Sequence, residues 1–230
     1  KVVRSSRTSP AILKLKGDIM KLGEIKVATL KLLFAGYEND INVGDLDELS
    51  LDENYKSYLF GMNDSINRAF SSIEEKGVLP SKSYTINKAD GEVDGQFIRF
   101  DLKELIPDYF SMDRVVYQNS RGDYKGHYEY QLEEDVLVLR DFKESDESLR
   151  VLYKPTLERI NDDTDNDLEL DIPNSIASQI PLFVKGDIYR EDEPNEASEA
   201  RNWFESAMSE LHKNKTTNIG RVKKIFSQTE

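Results

Sequence analysis

The chain has 230 residues, 38% of them hydrophobic and 33% charged, with a net charge of -13. That is long enough for one substantial core and too apolar for disorder throughout. There is no cysteine, which excludes a thiol nucleophile, a Cys-ligated metal or iron–sulfur site and any disulfide, and suits a reducing compartment.

Residues 1–33 carry eight basic and two acidic side chains, and residues 213–230 carry five and one. Two basic ends therefore flank a body of net charge -23. Such a body repels duplex nucleic acid within about a Debye length. No apolar run approaches the roughly 20 residues that span a bilayer. The basic N-terminus lacks the apolar stretch of a signal peptide, so cytosolic synthesis without a membrane partner is expected.

Residues 1–19 are basic, Ser/Thr-rich and without a sustained period, and they read as an appendage. Met20 opens a more regular stretch and is expected to be a natural start. A first helix is expected over 21–35, with Ile25, Leu30, Leu33 and Phe34 on one face and Gly36 as a stop. An acidic loop follows over 38–50. One long helix is then expected, capped by Ser50 or Asp52. Its stripe is Tyr55, Leu59, Met62, Ile66, Phe70 and Ile73, with Gly77 as the stop.

From 81 the hydrophobic period changes to two. Segments 84–86, 96–100, 114–117, 127–132, 136–139 and 149–153 read as strands, making one compact antiparallel unit of five or six strands. In the fourth, Tyr128, Tyr130 and Leu132 share a face. An acidic segment, 161–171, reads as a solvated linker. Pro173 then opens a helix carrying Ile176, Ile180, Phe183, Val184 and Ile188, with Pro181 as a kink. Pro194 opens the last helix, with Ala197, Ala200, Phe204, Ala207, Met208 and Leu211 as its stripe and Trp203 beside it. Residues 213–230 follow as a basic, polar tail.

The expected fold is α+β: a mainly helical bundle of about four helices with an inserted antiparallel β unit. Its parts are an appendage (1–19), a discontinuous bundle (20–80 and 170–212), a β-rich insertion (81–160) and a C-terminal tail (213–230).

Catalytic patterns are missing. The sequence has no phosphate-binding loop, GxGxxG, GxSxG or HExxH. Of the two histidines, His127 falls on the polar side of an expected strand. His212 falls at an expected helix end, where a cation is favoured structurally. Asp163, Asp165 and Asp167 have the spacing of the first calcium-loop ligands, but Leu168 stands where glycine is required and Asn174 where glutamate is. No enzyme activity, cofactor or metal is expected. The tail keeps two readings. It is simply disordered, or Arg221, Lys223 and Lys224 beside Ile225 and Phe226 form a segment that folds on a partner.

Three stretches together resemble the head–tail connector (adaptor, or neck) proteins of tailed bacteriophages. They are KLGEIKVATLKLLF with DENYKSYLFGMNDSINRAFSSIEEKGVLP, then DYFSMDRVVYQNSRGDYKGHYEYQLEEDVLVL closing with LRVLYKPTLERI, and LDIPNSIASQIPLFVKGDIYREDEPNEASEARNWFESAMSEL. They cover residues 20–211 with patterns rather than invariant signatures. The resemblance implies a virion subunit that forms a ring, typically dodecameric, beneath the portal protein and extends the DNA channel toward tail or nozzle proteins. DNA would pass without specific binding, past acidic walls. It also implies that Arg221, Lys223, Lys224, Ile225 and Phe226 reach the portal, and that deleting 213–230 abolishes docking without loss of helicity. The alternative is a small regulatory or nucleic-acid-binding protein using its basic termini, or, less favoured, an enzyme with dispersed carboxylates.

Overall fold

A computed structural model describes residues 19–34, 41–118, 124–126, 130–140 and 148–226, with the backbone alone at 117, 118, 124–126, 148 and 214–226. The expected appendage and His127 lie almost wholly or wholly outside the described residues. The chain is α+β, with helices and antiparallel sheets.

Helix α1 (Leu22–Leu33) buries Leu22, Ile25, Leu30 and Leu33. The expected acidic loop holds a 3-10 turn, Val43–Asp45, and a short helix α2 (Leu46–Leu49). The expected long helix is two, α3 (Glu53–Phe60) and α4 (Met62–Glu75), broken at Gly61. Glycine is a poor helix residue, and the break lets each stripe meet its own neighbour. Tyr55 and Tyr58 of α3 pack edge-on against Phe34 at 5.1 and 5.2 Å. Met62, Ile66, Phe70 and Ile73 of α4 enter the main helical core. Asp52 caps α3, accepting from Asn54 N at 2.9 Å. Gly77, at φ 61°, supplies the left-handed residue that ends the α4 turn.

The β region is antiparallel as expected, but holds eight strands among the described residues rather than five or six, arranged in two sheets. They are β1 (Lys82–Ile86), β2 (Glu92–Asp94), β3 (Phe97–Asp101), β4 (Tyr109–Gln118), β5 (Tyr124–Gly126), β6 (Tyr130–Glu133), β7 (Val136–Arg140) and β8 (Ser148–Pro155). A short helix, α5 (Leu102–Leu105), follows β3. The sheets run β1-β8-β4-β5 and β2-β3-β7-β6, all neighbours antiparallel. Ile86, Val115, Leu149 and Val151 of one sheet share a core with Ile98, Phe100, Leu137 and Leu139 of the other. Tyr130 and Leu132 pair with Leu139 and Leu137 and share a face, at the edge of the buried one, while Tyr128 lies outside the described residues.

The chain returns to helix at α6 (Asn174–Ala177) and α7 (Ile180–Ile188). The expected single kinked helix is thus two. Pro181 lies in the first turn of α7, where its missing N–H costs nothing, so it starts a helix instead of bending one. The last helix, α8 (Pro194–Phe226), does not stop near Leu211. No proline interrupts it, and its backbone stays helical through the segment expected as a polar tail. The regular bundle of about four helices is therefore not reproduced. Packing centres on α7, which touches α1, α4 and α8. Buried Ala197 and Ala200 let α8 come close to it, and Phe183 meets Phe204 edge-on at 5.1 Å.

Segment 157–162 is not a free linker. Beside its apolar stripe, α4 carries a polar one at Asn63, Asn67, Ser71 and Glu74. The Asn67 amide both accepts from Ile160 N (3.0 Å) and donates to Ile160 O (2.7 Å). Asn63 donates to Asn161 O at 3.1 Å. Glu74, 3% exposed, accepts from Leu157 N at 2.6 Å and from both terminal nitrogens of Arg159. Replacing Glu74 with alanine should cost about 2–3 kcal/mol in urea unfolding, because a buried backbone donor and a guanidinium lose their acceptor. The neighbouring exposed Glu75→Ala should stay within about 0.5 kcal/mol.

Candidate functional site

The five residues expected to meet a portal all lie on the last turns of α8. At 100° per residue, positions 219, 222, 225 and 226 fall within about a third of the helix circumference. Positions 221 and 223 flank that arc on its two sides, and 224 falls opposite. Ile219, Val222, Ile225 and Phe226 occupy the arc, and Arg221, Lys223 and Lys224 the rest. The helix backbone thus sets positions 225 and 226 on one arc and spreads the three basic positions around the rest. The last α8 side chain that packs on the hydrophobic core, among the described residues, is half-buried Leu211. From Lys213 to Phe226 a helix advances about 20 Å. His212 sits in mid-helix and not at a helix end, so the dipole explanation for it does not hold.

The acidic segment is built into the body. Leu22 N and Gly23 N, donors of the first turn of α1, meet Leu168 O (3.0 Å) and Asn166 O (2.8 Å). A Cβ on Gly23 would lie 2.6 Å from Val43 Cγ1, so this close approach needs glycine. Asp163 N and Asp167 N donate to Asn161 Oδ1 and Asp165 Oδ1, folding the segment into two successive turns. Its carboxylates are mostly turned to solvent. Among the described residues no group of three or more His, Asp or Glu is placed to hold a metal ion. Half-buried Lys26 lies in the field of Asp162 and Asp47. Burial lowers its pKa below the ordinary lysine value despite those charges. The segment and α2 therefore contribute to one acidic region beside α1.

Polar side chains also gather where the helical body meets the β unit. Lys82 Nζ lies 3.0 Å from Asp108 Oδ2 and 3.0 Å from Asp171 Oδ2. Tyr153 donates its hydroxyl to Asp108 Oδ1 at 2.7 Å. Burial and this bond push the Tyr153 phenol up to about 12. Burial alone would raise Asp108, but the bonds from Tyr153 and Lys82 outweigh it and leave its carboxyl below the usual value. A cleft of about 380 Å³ opens beside this cluster. Asp187 of α7 forms a second network, accepting from Ser65 of α4, Arg68 of α4 and Arg201 of α8. Its own burial works against ionisation, yet those three partners hold its carboxyl below the ordinary range.

Large apolar side chains are exposed on both units: Leu51, Phe60 (79%) and Trp203 (62%) on the helical body, and Val93, Phe97 and Leu132 on the β unit. Such residues suit protein contacts better than catalysis. Sequence reading missed the carboxylates at 74, 108 and 187. The i, i+4, i+8, i+11 spacing of Asn63, Asn67, Ser71 and Glu74 was the one local signal. Among the described residues no helix is long and apolar enough to cross a membrane. The chain matches no family model and no curated protein.

A depressed carboxyl stabilises the fold above its unfolded value, and that contribution is lost as pH falls through the folded one. Asp187→Asn should therefore cost about 2 kcal/mol at neutral pH. The gap to the parent should close as pH falls below about 4. Urea midpoints measured across that range check both the size and the sign.

Proposed function

We propose that this chain is a non-enzymatic structural subunit of a tailed-phage virion, a head–tail adaptor at the neck. Copies would close a ring, with dodecameric closure the family's usual form, under the portal protein. The ring would continue the DNA channel and present a surface to tail or nozzle proteins. The helices meeting at α7 would then stand for the bundle of such adaptors, with the β unit as its insert.

The observation that carries this reading is α8. One helix runs from a buried anchor at Ala197, Ala200, Phe204 and Met208 into a basic, amphipathic end at Phe226, on a body of opposite charge. An acidic body suits a channel that must not retain DNA. The basic end suits a docking helix, with Ile225 and Phe226 as anchors and Arg221, Lys223 and Lys224 as charge partners. The exposed Phe60 and Trp203 offer apolar anchors for neighbouring copies, since a ring uses two unlike surfaces of each subunit.

The direct experiment is electron microscopy of the protein mixed with its candidate portal. Rings seated on the portal are expected, with the free protein monomeric in light scattering. Truncation before Lys213 should abolish seating. It should also lower the helical signal by the turns removed, because 213–226 is helix here, while leaving the urea midpoint unchanged. Seating by the truncated chain would refute the docking role. Salt-sensitive duplex binding by the isolated subunit would favour a nucleic-acid-binding role instead.

A further inference from the structure

We propose that the β unit is hinged on the helical body and that Lys82 is the latch that sets its position. The helical core ends on Val78 and Leu79 before the β unit and resumes at Leu157 and Ile160 after it. The β core is a separate cluster of residues, from Ile86 to Tyr153. Among the described residues no helix of the body packs broadly on a strand. The two units are joined by two neighbouring passes of chain, with the 380 Å³ cleft between them. Phe70, Leu170 and Ile172 line it from the body, and Pro107 and Pro155 from the β unit. Units with separate cores and no broad packed interface move relative to one another unless something holds them.

What bridges this junction is polar. Lys82 opens β1 and reaches both ways at 3.0 Å, to Asp108 ahead of β4 and to Asp171 ahead of α6. Lys154 Nζ reaches Leu79 O at 2.8 Å and Ser81 Oγ at 3.0 Å, pinning the incoming pass to β8. On the outgoing pass, Thr156 N still donates to Asp108 O, whereas Leu157 N already donates to Glu74 of α4. The bend therefore falls at 156–157 and near 79–81. The Asp171 side chain is 84% exposed, so its half of the latch is weak enough to open. The hinge belongs to the isolated chain and does not depend on the ring reading.

Absence of cysteine makes the test clean. Leu51→Cys on the body and Val93→Cys on the β unit, both exposed positions, would carry spin labels for pulsed distance measurement. Asp171→Asn in that background should enlarge a second distance population about two- to fivefold, the range an exposed ion pair can shift. Lys82→Gln should do the same, and about 1 M salt should move the labelled parent in the same direction. Asp163→Asn, an exposed acid of the same segment, should change nothing. Distributions for Asp171→Asn and Lys82→Gln that superimpose on the parent would overturn the latch, as would an equal response from Asp163→Asn. If either latch variant failed to fold, the salt titration of the parent would decide between the same two outcomes.

Discussion

The constraint on which this structure depends is the return of the chain from the β unit to the helical body. The chain leaves α4 at Glu75 and re-enters helix of the body only at Asn174, and these two points must come together for the helices to share a core. α4 solves this with two adjacent stripes. The apolar one faces the other helices. The polar one, at 63, 67, 71 and 74, treats the returning segment as if it were a strand: Asn63, Asn67 and Glu74 bind its backbone, and Ser71 meets the Arg159 side chain. Each bond replaces water on a group that packing would otherwise strand. Segment 161–171 is then led across the start of α1, where its carbonyls take up donors that the helix cannot use itself.

Charge is handled differently inside and outside. Glu74 and Asp187 are nearly buried, and arginines face both, so their ionisation is matched locally. Most other carboxylates of segment 161–171 and of the α2–α3 region stay in solvent, where they add up to a field rather than to pairs. The basic residues of the last turns of α8 lie on the same chain as that acidic body. A basic helix end on an acidic body suits association with something besides another copy of the same acidic surface.

A latch at the junction fits such a subunit. In the ring proposed above, identical copies would meet partners above and below that need not share its symmetry. A β unit with its own core can adjust without disturbing α7 and its neighbours, since packed cores are not continuously deformable. The arrangement places the stiff contacts, Asn67 and Glu74, on the body side of the bend, while the exposed pair of Lys82 and Asp171 spans it.

Much of this architecture was legible along the chain. The hydrophobic period changed where the strands begin, and the stripes of α1, α4 and α8 are those that are buried. Gly77 and Pro194 punctuate as their stereochemistry requires. Breaks at Gly61 and at Ser178–Gln179 were not legible, because an apolar stripe reads the same across one helix or two. Strands β2 and β5 and helix α5 are too short to show a period. The helical course of 213–226 was hidden by a composition that also suits a disordered tail. By itself the sequence determined which residues would be inside and that charge would be segregated, since burial and net charge follow from residue type. Only the tertiary structure decided that the acidic segment is a cap rather than a linker, that the β unit has a core of its own, and that Lys82 joins Asp108 to Asp171. Those depend on contacts between residues far apart in sequence, and no local pattern encodes them.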